Sequence, residues 1–271
     1  MRSQFARKKV ATGLSAFDQI TGGGLPRSST IVLSGEAGSG KKLLARHLMW
    51  NLLQHDAKIL YFSIDQSAEE LQYYMHNYGW DIAPFEANGH LKIVDVFSNA
   101  LEKFQESANV EEPITFDLEN LSQMQYHKSL YDLEMLTKEG AKFFTLRSIL
   151  ANRKQFRLVI FDSISPLLLT NDKSVFRMIH TLKLATRMTK ASGIAILNSE
   201  VHDNATIGMM KSLADAIIEL RNIEKGVFSS LTLQRYVGVK KLTSYPIEQT
   251  ARGTNIIPLA MPELENNYIK G

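Results

Sequence analysis

The chain has 271 residues, 44% of them hydrophobic, enough to bury a large core in one domain carrying insertions. Its 31 basic and 28 acidic residues leave a net charge of +3, a mixed surface that excludes a broad basic field for nucleic acid. Cysteine is absent, which excludes disulfides and thiolate metal sites, and no apolar run approaches the roughly 20 residues of a membrane span.

The N-terminal MRSQFARKKVATG is basic but lacks the apolar stretch of a secretory signal, so a cytoplasmic protein is expected. Arg2, Arg7, Lys8 and Lys9 in it read as a solvated tail, with contact to nucleic acid as the alternative. STIVLSG (Ser29–Gly35) is a β-branched run ending in glycine, the pattern of a buried strand. In the segment that follows, apolar residues at 43, 44, 48, 49, 52 and 53 give a helical period. KILYFSID (Lys58–Asp65) reads as a strand, and SAEELQYYMHNYG as a helix with a serine N-cap. Tyr73, Tyr74, Tyr78 and Trp80 are expected to pack into the core. HLKIVDVF (His90–Phe97) reads as a further strand.

The stretch 98–153 is polar and partly helical, and about 103–125 is taken as an insertion. FRLVIFDSISPLLL contains the apolar strand Leu158–Phe161. SVFRMIHTLKLATRMTKAS reads as an amphipathic helix and GIAILNSE (Gly193–Glu200) as a strand. DAIIELRNIE and SSLTLQRYVGV read as late strands, paired as a hairpin. Alternating strands and helices predict an α/β fold. It is a doubly wound, mainly parallel sheet with helices on both faces, finished by C-terminal antiparallel strands. Ligands of such sheets sit at the carboxyl ends of the strands.

The carboxyl end of the first long strand carries SGEAGSGKKLLARH. Gly35, Gly40 and Lys41 match Gly-x-x-x-x-Gly-Lys-[Ser/Thr], between a strand and a helix as a phosphate loop requires. The candidate nucleotide-binding residues are Gly35, Glu36, Ala37, Gly38, Ser39, Gly40, Lys41, Lys42 and Leu43. A glycine turn without a ligand is the alternative. The position that should carry a metal-binding hydroxyl is Lys42. Two orientations stay open: Lys42 reaches the phosphates and supplies part of the metal's charge, or it turns to solvent. Either way nucleotide binding survives better than γ-phosphate transfer.

Three strand ends supply polar residues. Asp162 ends LVIFD and suits an indirect, water-mediated partner of Mg2+, with a turn cap as the alternative. Asp65, followed by Gln66, is a candidate catalytic carboxylate that orients water, or else a helix cap. Ser199, beside Glu200, is a candidate sensor of the γ-phosphate.

Together these residues resemble the KaiC/RadA branch of the RecA-like ATPases. The resemblance begins at TGLSAFDQITGGGLPRSSTIVLSGEAGSGK (Thr12–Lys41). It continues through YGWD (Tyr78–Asp81), FDSIS, NSEV and ADAIIEL (Ala214–Leu220), covering about 12–100 and 155–250. It implies a single RecA-like domain that binds ATP, and a ring or filament, often a hexamer, with ATP between subunits. Three departures stand out. Lys42 replaces the family's Thr or Ser, which leaves Mg2+ an open question. Asp65-Gln66 replaces an adjacent glutamate pair. Arg235-Tyr236-Val237-Gly238 replaces Lys-x-Arg-Gly, so that Arg235 is the remaining candidate finger reaching a neighbour's phosphate.

Three readings follow. The first is an ATP-binding regulatory or assembly factor with weak or absent hydrolysis. The second is an active RadA-paralogue ATPase that binds single-stranded DNA in recombination or repair. The third is an interaction module without nucleotide.

Overall fold

The computed structural model describes residues 8–107, 155–170, 176, 180, 183–184, 186–187, 189–223, 228–239, 244–250 and 252–256. The short strands β1 (Lys9–Val10) and β2 (Leu25–Pro26) pair antiparallel and flank helix α1 (Ser15–Thr21). The main strands are β3 (Thr30–Gly35), β4 (Lys58–Ser63), β5 (Leu91–Asp95), β6 (Arg157–Asp162), β7 (Ser192–Asn198), β8 (Ala216–Asn222), β9 (Phe228–Arg235), β10 (Ser244–Thr250) and β11 (Gly253–Ile256). They form one sheet in the order β11-β10-β9-β8-β3-β7-β6-β4-β5. The pairings from β5 to β8 are parallel, and those from β8 to β11 are antiparallel. The expected fold class is therefore the observed one, including the late antiparallel strands.

The central strands read as continuous apolar runs because both faces are covered. Alternate residues go to opposite layers. Ile31 and Leu33 of β3, Ile59 and Tyr61 of β4, and Leu158 and Ile160 of β6 enter one layer. Val32, Leu60, Phe62, Val159 and Phe161 enter the other. The first layer is covered by helix α2 (Lys41–Gln54) through Leu44, Leu48, Met49 and Leu52, all nearly inaccessible. Behind β4 run α3 (Ala68–Asn77), α4 (Ala83–Ala87) and, after β5, α5 (Val96–Ser107). The second layer is covered in part by α6 (Ser165–Thr170) and α7 (Asn204–Leu213), through Leu167, Leu168, Ile207 and Met210. Among the described residues no helix is long and apolar enough to cross a membrane.

Several strands end earlier than their sequence pattern suggests, two of them at a side-chain hydrogen bond. The strand expected to reach Phe97 stops at Asp95, whose carboxylate accepts from the Ser98 amide at 2.8 Å and hydroxyl at 2.9 Å, starting α5. The strand expected to reach Asp65 stops at Ser63, whose hydroxyl donates to the Gln66 carbonyl at 2.8 Å and closes a turn. Ser67 is the cap of α3, in a reciprocal capping box with Glu70. Asp65 is thereby released from the capping role.

The aromatic set also divides. Trp80 is buried and stacks on His47 at 4.9 Å between ring centroids, with Tyr78 against it. Tyr73 and Tyr74 are exposed, because α3 turns that face to solvent. The polar segment expected at about 103–125 begins in the last turns of α5, and from 108 onward it lies outside the described residues; of the amphipathic helix expected at 174–192, residues 176, 180, 183–184, 186–187 and 189 are described and are helical.

Candidate nucleotide site

The carboxyl ends of β3, β6, β7 and β8 converge on the loop 35–41. The loop leaves β3 at Gly35, where a Cβ would lie 2.1 Å from the Leu220 carbonyl oxygen, so the close approach of β8 requires glycine. It enters α2 through Gly40, which holds φ 88° as the N-cap and offers no side-chain cap. The first amides of α2 are left without helical partners. Such orphaned amides, at the positive end of a four-turn helix, are the groups a phosphate accepts from.

Neighbouring strand ends brace the loop. The Ala37 amide donates to Glu200 at 2.9 Å, and the Ser199 amide donates to the Gly35 carbonyl at 2.9 Å. The Asn222 amide donates to Glu36 at 3.0 Å, while its side chain donates to the Ala37 carbonyl at 2.9 Å. Gln249 on β10 donates to the Gly38 carbonyl at 3.1 Å. Lys41 curls back so that its ammonium donates to the Glu36 carbonyl, with the Ser39 hydroxyl 3.4 Å away. Burial lowers the Lys41 pKa to about 8, with Lys42 adding to the drop while Glu200 and Glu36 oppose it.

Lys42 turns toward the carboxylates at two other strand ends. Its ammonium lies 2.6 Å from Asp65 Oδ1 and 3.7 Å from Asp162 Oδ1, bridging the two carboxylates. The other oxygen of Asp162 accepts from Arg46 at 3.3 Å and from the Tyr61 hydroxyl. Arg46 also donates to Gln66 Oε1 at 2.8 Å. Asp162 is fully buried, and Arg46 nearly so. Burial and then the Asp162 charge push the Tyr61 hydroxyl pKa far up, so it acts as a neutral donor. The Asp65 pKa is raised by burial and then by Asp162, with Lys42 opposing.

These residues fit a phosphate chain: glycines permit close approach, helix amides are open, and two lysines flank them. They do not fit a divalent cation. The position that should offer a hydroxyl oxygen carries an ammonium, which is hydrogen-bonded to Asp65 and lies 3.7 Å from Asp162 Oδ1. Two unit charges about 4 Å apart interact by about 4 kcal/mol at an effective dielectric of about 20, so a divalent ion beside Lys42 meets about twice that repulsion. Among the described residues no group of three or more His, Cys, Asp or Glu side chains is placed to hold a metal.

The family model for the KaiC ATPases matches residues 10–259. The chain belongs to the KaiC family. It is similar along nearly its whole length to a UPF0273 protein of Thermotoga maritima, 24% identical over 255 residues, 93% of this chain and 96% of that one. A UPF0273 protein of Pyrococcus horikoshii is 25% identical over 255 residues, 93% of this chain and 94% of its own. The circadian clock oscillator protein KaiC 1 of Synechocystis is 27% identical over 266 residues, 95% of this chain but 46% of the clock protein. Among solved structures, a KaiC-like protein of Pyrococcus horikoshii superposes with a TM-score of 0.66 at 17% identity, covering 93% of this chain and 100% of that chain, which establishes the shared fold. This KaiC-family chain is thus a RecA-like nucleotide-binding protein.

In this KaiC-family chain the loop residues, Asp65, Asp162 and Ser199 share one end of the sheet. Arg235 points elsewhere: its guanidinium donates to the Ala214 carbonyl at 3.0 Å within its own chain. Lys9 is no solvated tail residue; its ammonium donates to the Thr21 carbonyl and lies 5.5 Å from the Tyr236 ring centre. Arg2 and Arg7 lie outside the described residues. Arg46, Tyr61, Asn222 and Gln249 are neighbours of the site that the motifs pass over. Arg46 reads as one more residue of an amphipathic helix, and only its burial against Asp162 reveals it.

Proposed function

We propose that this chain binds ATP in the loop 35–43 and hydrolyses it weakly or not at all, acting as a nucleotide-dependent regulatory or assembly factor. The bridge from Lys42 to Asp65 and Asp162 carries this reading. Phosphoryl transfer to water needs charge stabilisation on the phosphates and a carboxylate free to orient the water. Here the carboxylate available, Asp65, is held in an ion pair, and burial, then the charge of Asp162, raises its pKa. Lys41 supplies positive charge from within the loop, so binding persists without the rest of that apparatus.

Family membership supports a cytoplasmic homo-oligomer with nucleotide between subunits, built from one RecA-like domain over residues 1–271 with an insertion at about 103–125. In such an assembly Arg235 would leave Ala214 for the neighbour's phosphate, whereas Val237 supplies no second charge. A role on single-stranded DNA draws less support, because Lys9 is engaged with its own chain. The test pairs fluorescent ATP-analogue binding with phosphate release. Binding with turnover no faster than about one per hour supports the proposal, since efficient transferases run at about 1–100 per second. Absence of binding, or turnover in that faster range, defeats it.

A further inference from the structure

We propose that the ammonium of Lys42 takes the place of a divalent cation, so that this chain selects nucleoside polyphosphate in its metal-free form. The inference rests on the ATP-binding reading above and names the ligand state that the same site prefers.

The cluster balances its charge without a metal. Asp65 and Asp162 contribute two negative charges. Lys42, 2.6 Å from the one and 3.7 Å from the other, and Arg46, 3.3 Å from Asp162, contribute two positive ones. Oδ2 of the buried Asp162 accepts from Arg46 and Tyr61, while Oδ1 makes no hydrogen bond and has the Lys42 ammonium 3.7 Å away as its nearest cation. A divalent ion placed between these carboxylates would have to displace Lys42, 2.6 Å from Asp65, and would stand beside the buried Arg46.

The phosphate side points the same way. Lys42 is the second residue of α2, so its stem rises from the turn whose amides are open to phosphate. An ammonium has three donors, and the Asp65 bond uses one of them. The remaining N–H groups are available to phosphate oxygens while Asp65 keeps the head in place. Lys41 stands next to it as a second charge. Metal-free ATP is more negative than its metal complex by the charge of the ion, and two adjacent lysines at a helix N-terminus complement the more negative form better.

The experiment uses the full chain and two titrations, ATP in excess EDTA and ATP in excess Mg2+, repeated with ADP. The wild type is expected to bind at least as tightly in EDTA as in Mg2+. Lys42→Thr, which restores the hydroxyl, is expected to bind ATP about tenfold or more weakly in EDTA than in Mg2+. Lys42→Met, with neither charge nor hydroxyl, is expected to bind weakly in both. A second readout needs no variant: adding the wild-type chain to Mn2+–ATP should raise the sharp electron paramagnetic resonance signal of free aqueous Mn2+ as metal is shed. Wild-type binding that is about tenfold or more tighter with Mg2+, or a broadened signal from protein-bound Mn2+–ATP, overturns the inference while leaving ATP binding intact. Absence of binding in both buffers overturns the ATP-binding reading itself, and this inference with it.

Discussion

The Gln249 side chain on β10 donates to the Gly38 carbonyl at 3.1 Å, tying the C-terminal antiparallel strands to the middle of the phosphate loop. The same amide group would lie 2.6 Å from a Cβ placed on Gly40. Loop and strand are therefore fitted to each other, and the antiparallel end of the sheet takes part in the site.

That contact predicts a graded pair of variants. Gln249→Ala removes one hydrogen bond of about 1 kcal/mol and should weaken ATP-analogue binding several-fold with little loss of stability. Gly40→Ala adds a Cβ at φ 88°, a conformation that costs a non-glycine residue about 1–2 kcal/mol, and sets it against Gln249. Binding should fall by more than in Gln249→Ala. Fluorescence anisotropy ranks the two, and an undiminished affinity in Gly40→Ala would show that the loop is not where phosphate sits.

Arg46 and Asp162 predict a stability effect. Both are buried, 3.3 Å apart, and Arg46 holds Gln66 as well. Removing one member of a buried pair costs about 3–5 kcal/mol where the other is left uncompensated, and Lys42 and Tyr61, which still face Asp162, place the cost here at the lower end of that range. Arg46→Met should lower the urea midpoint accordingly, with an unchanged slope. Gln66→Ala, losing one hydrogen bond to Arg46, should cost about 1–2 kcal/mol. Equal effects of the two variants would mean that the charge of Arg46 is not what matters.

Lys41 predicts a pH dependence with two opposite signs. Burial places its pKa at about 8, below its ordinary 10.5. The folded state therefore holds fewer protons than the unfolded one between those values, and stability from this group rises with pH across that window. Below about 8 the buried charge is present in full and its cost is undiminished. Phosphate binding needs that charge, so ATP affinity should be highest below about pH 8 and fall above it. Lys41→Met should bind weakly and flatten the profile. Isothermal titrations across the window, in two buffers of different ionisation enthalpy, should also report proton uptake on the alkaline side.

The sequence disclosed the strands with both faces buried, because Ile31, Val32 and Leu33 or Leu158, Val159 and Ile160 are apolar whichever layer they enter. Strand ends were less legible, since Asp95 stops β5 by capping the next helix, and alternation carries no trace of a side-chain cap. The loop announced itself through fixed spacing between neighbours. The destination of Lys42 did not, because Asp65 and Asp162 arrive from other strands and only the sheet order brings them within reach. The same holds for Arg46 and Gln249, whose partners are remote in sequence.

Hydrolysis supplies the last expectation. Lys42, Asp65-Gln66 and Val237 alter the charge at the phosphates, the water-orienting carboxylate and the charge donated across a subunit boundary. Groups that act as a unit in catalysis are strongly non-additive, so repairing one while the others stay altered recovers little. Lys42→Thr frees Asp65, yet Asp65 keeps a short side chain, and Gln66 beside it stays bonded to Arg46. Phosphate release should therefore rise by no more than about tenfold in Lys42→Thr, and similarly in Asp65→Glu or Val237→Arg alone. The triple variant should exceed the product of the single gains. If Lys42→Thr alone raises turnover by about a thousandfold, one ammonium was the whole obstacle, and the other two positions were never part of the loss.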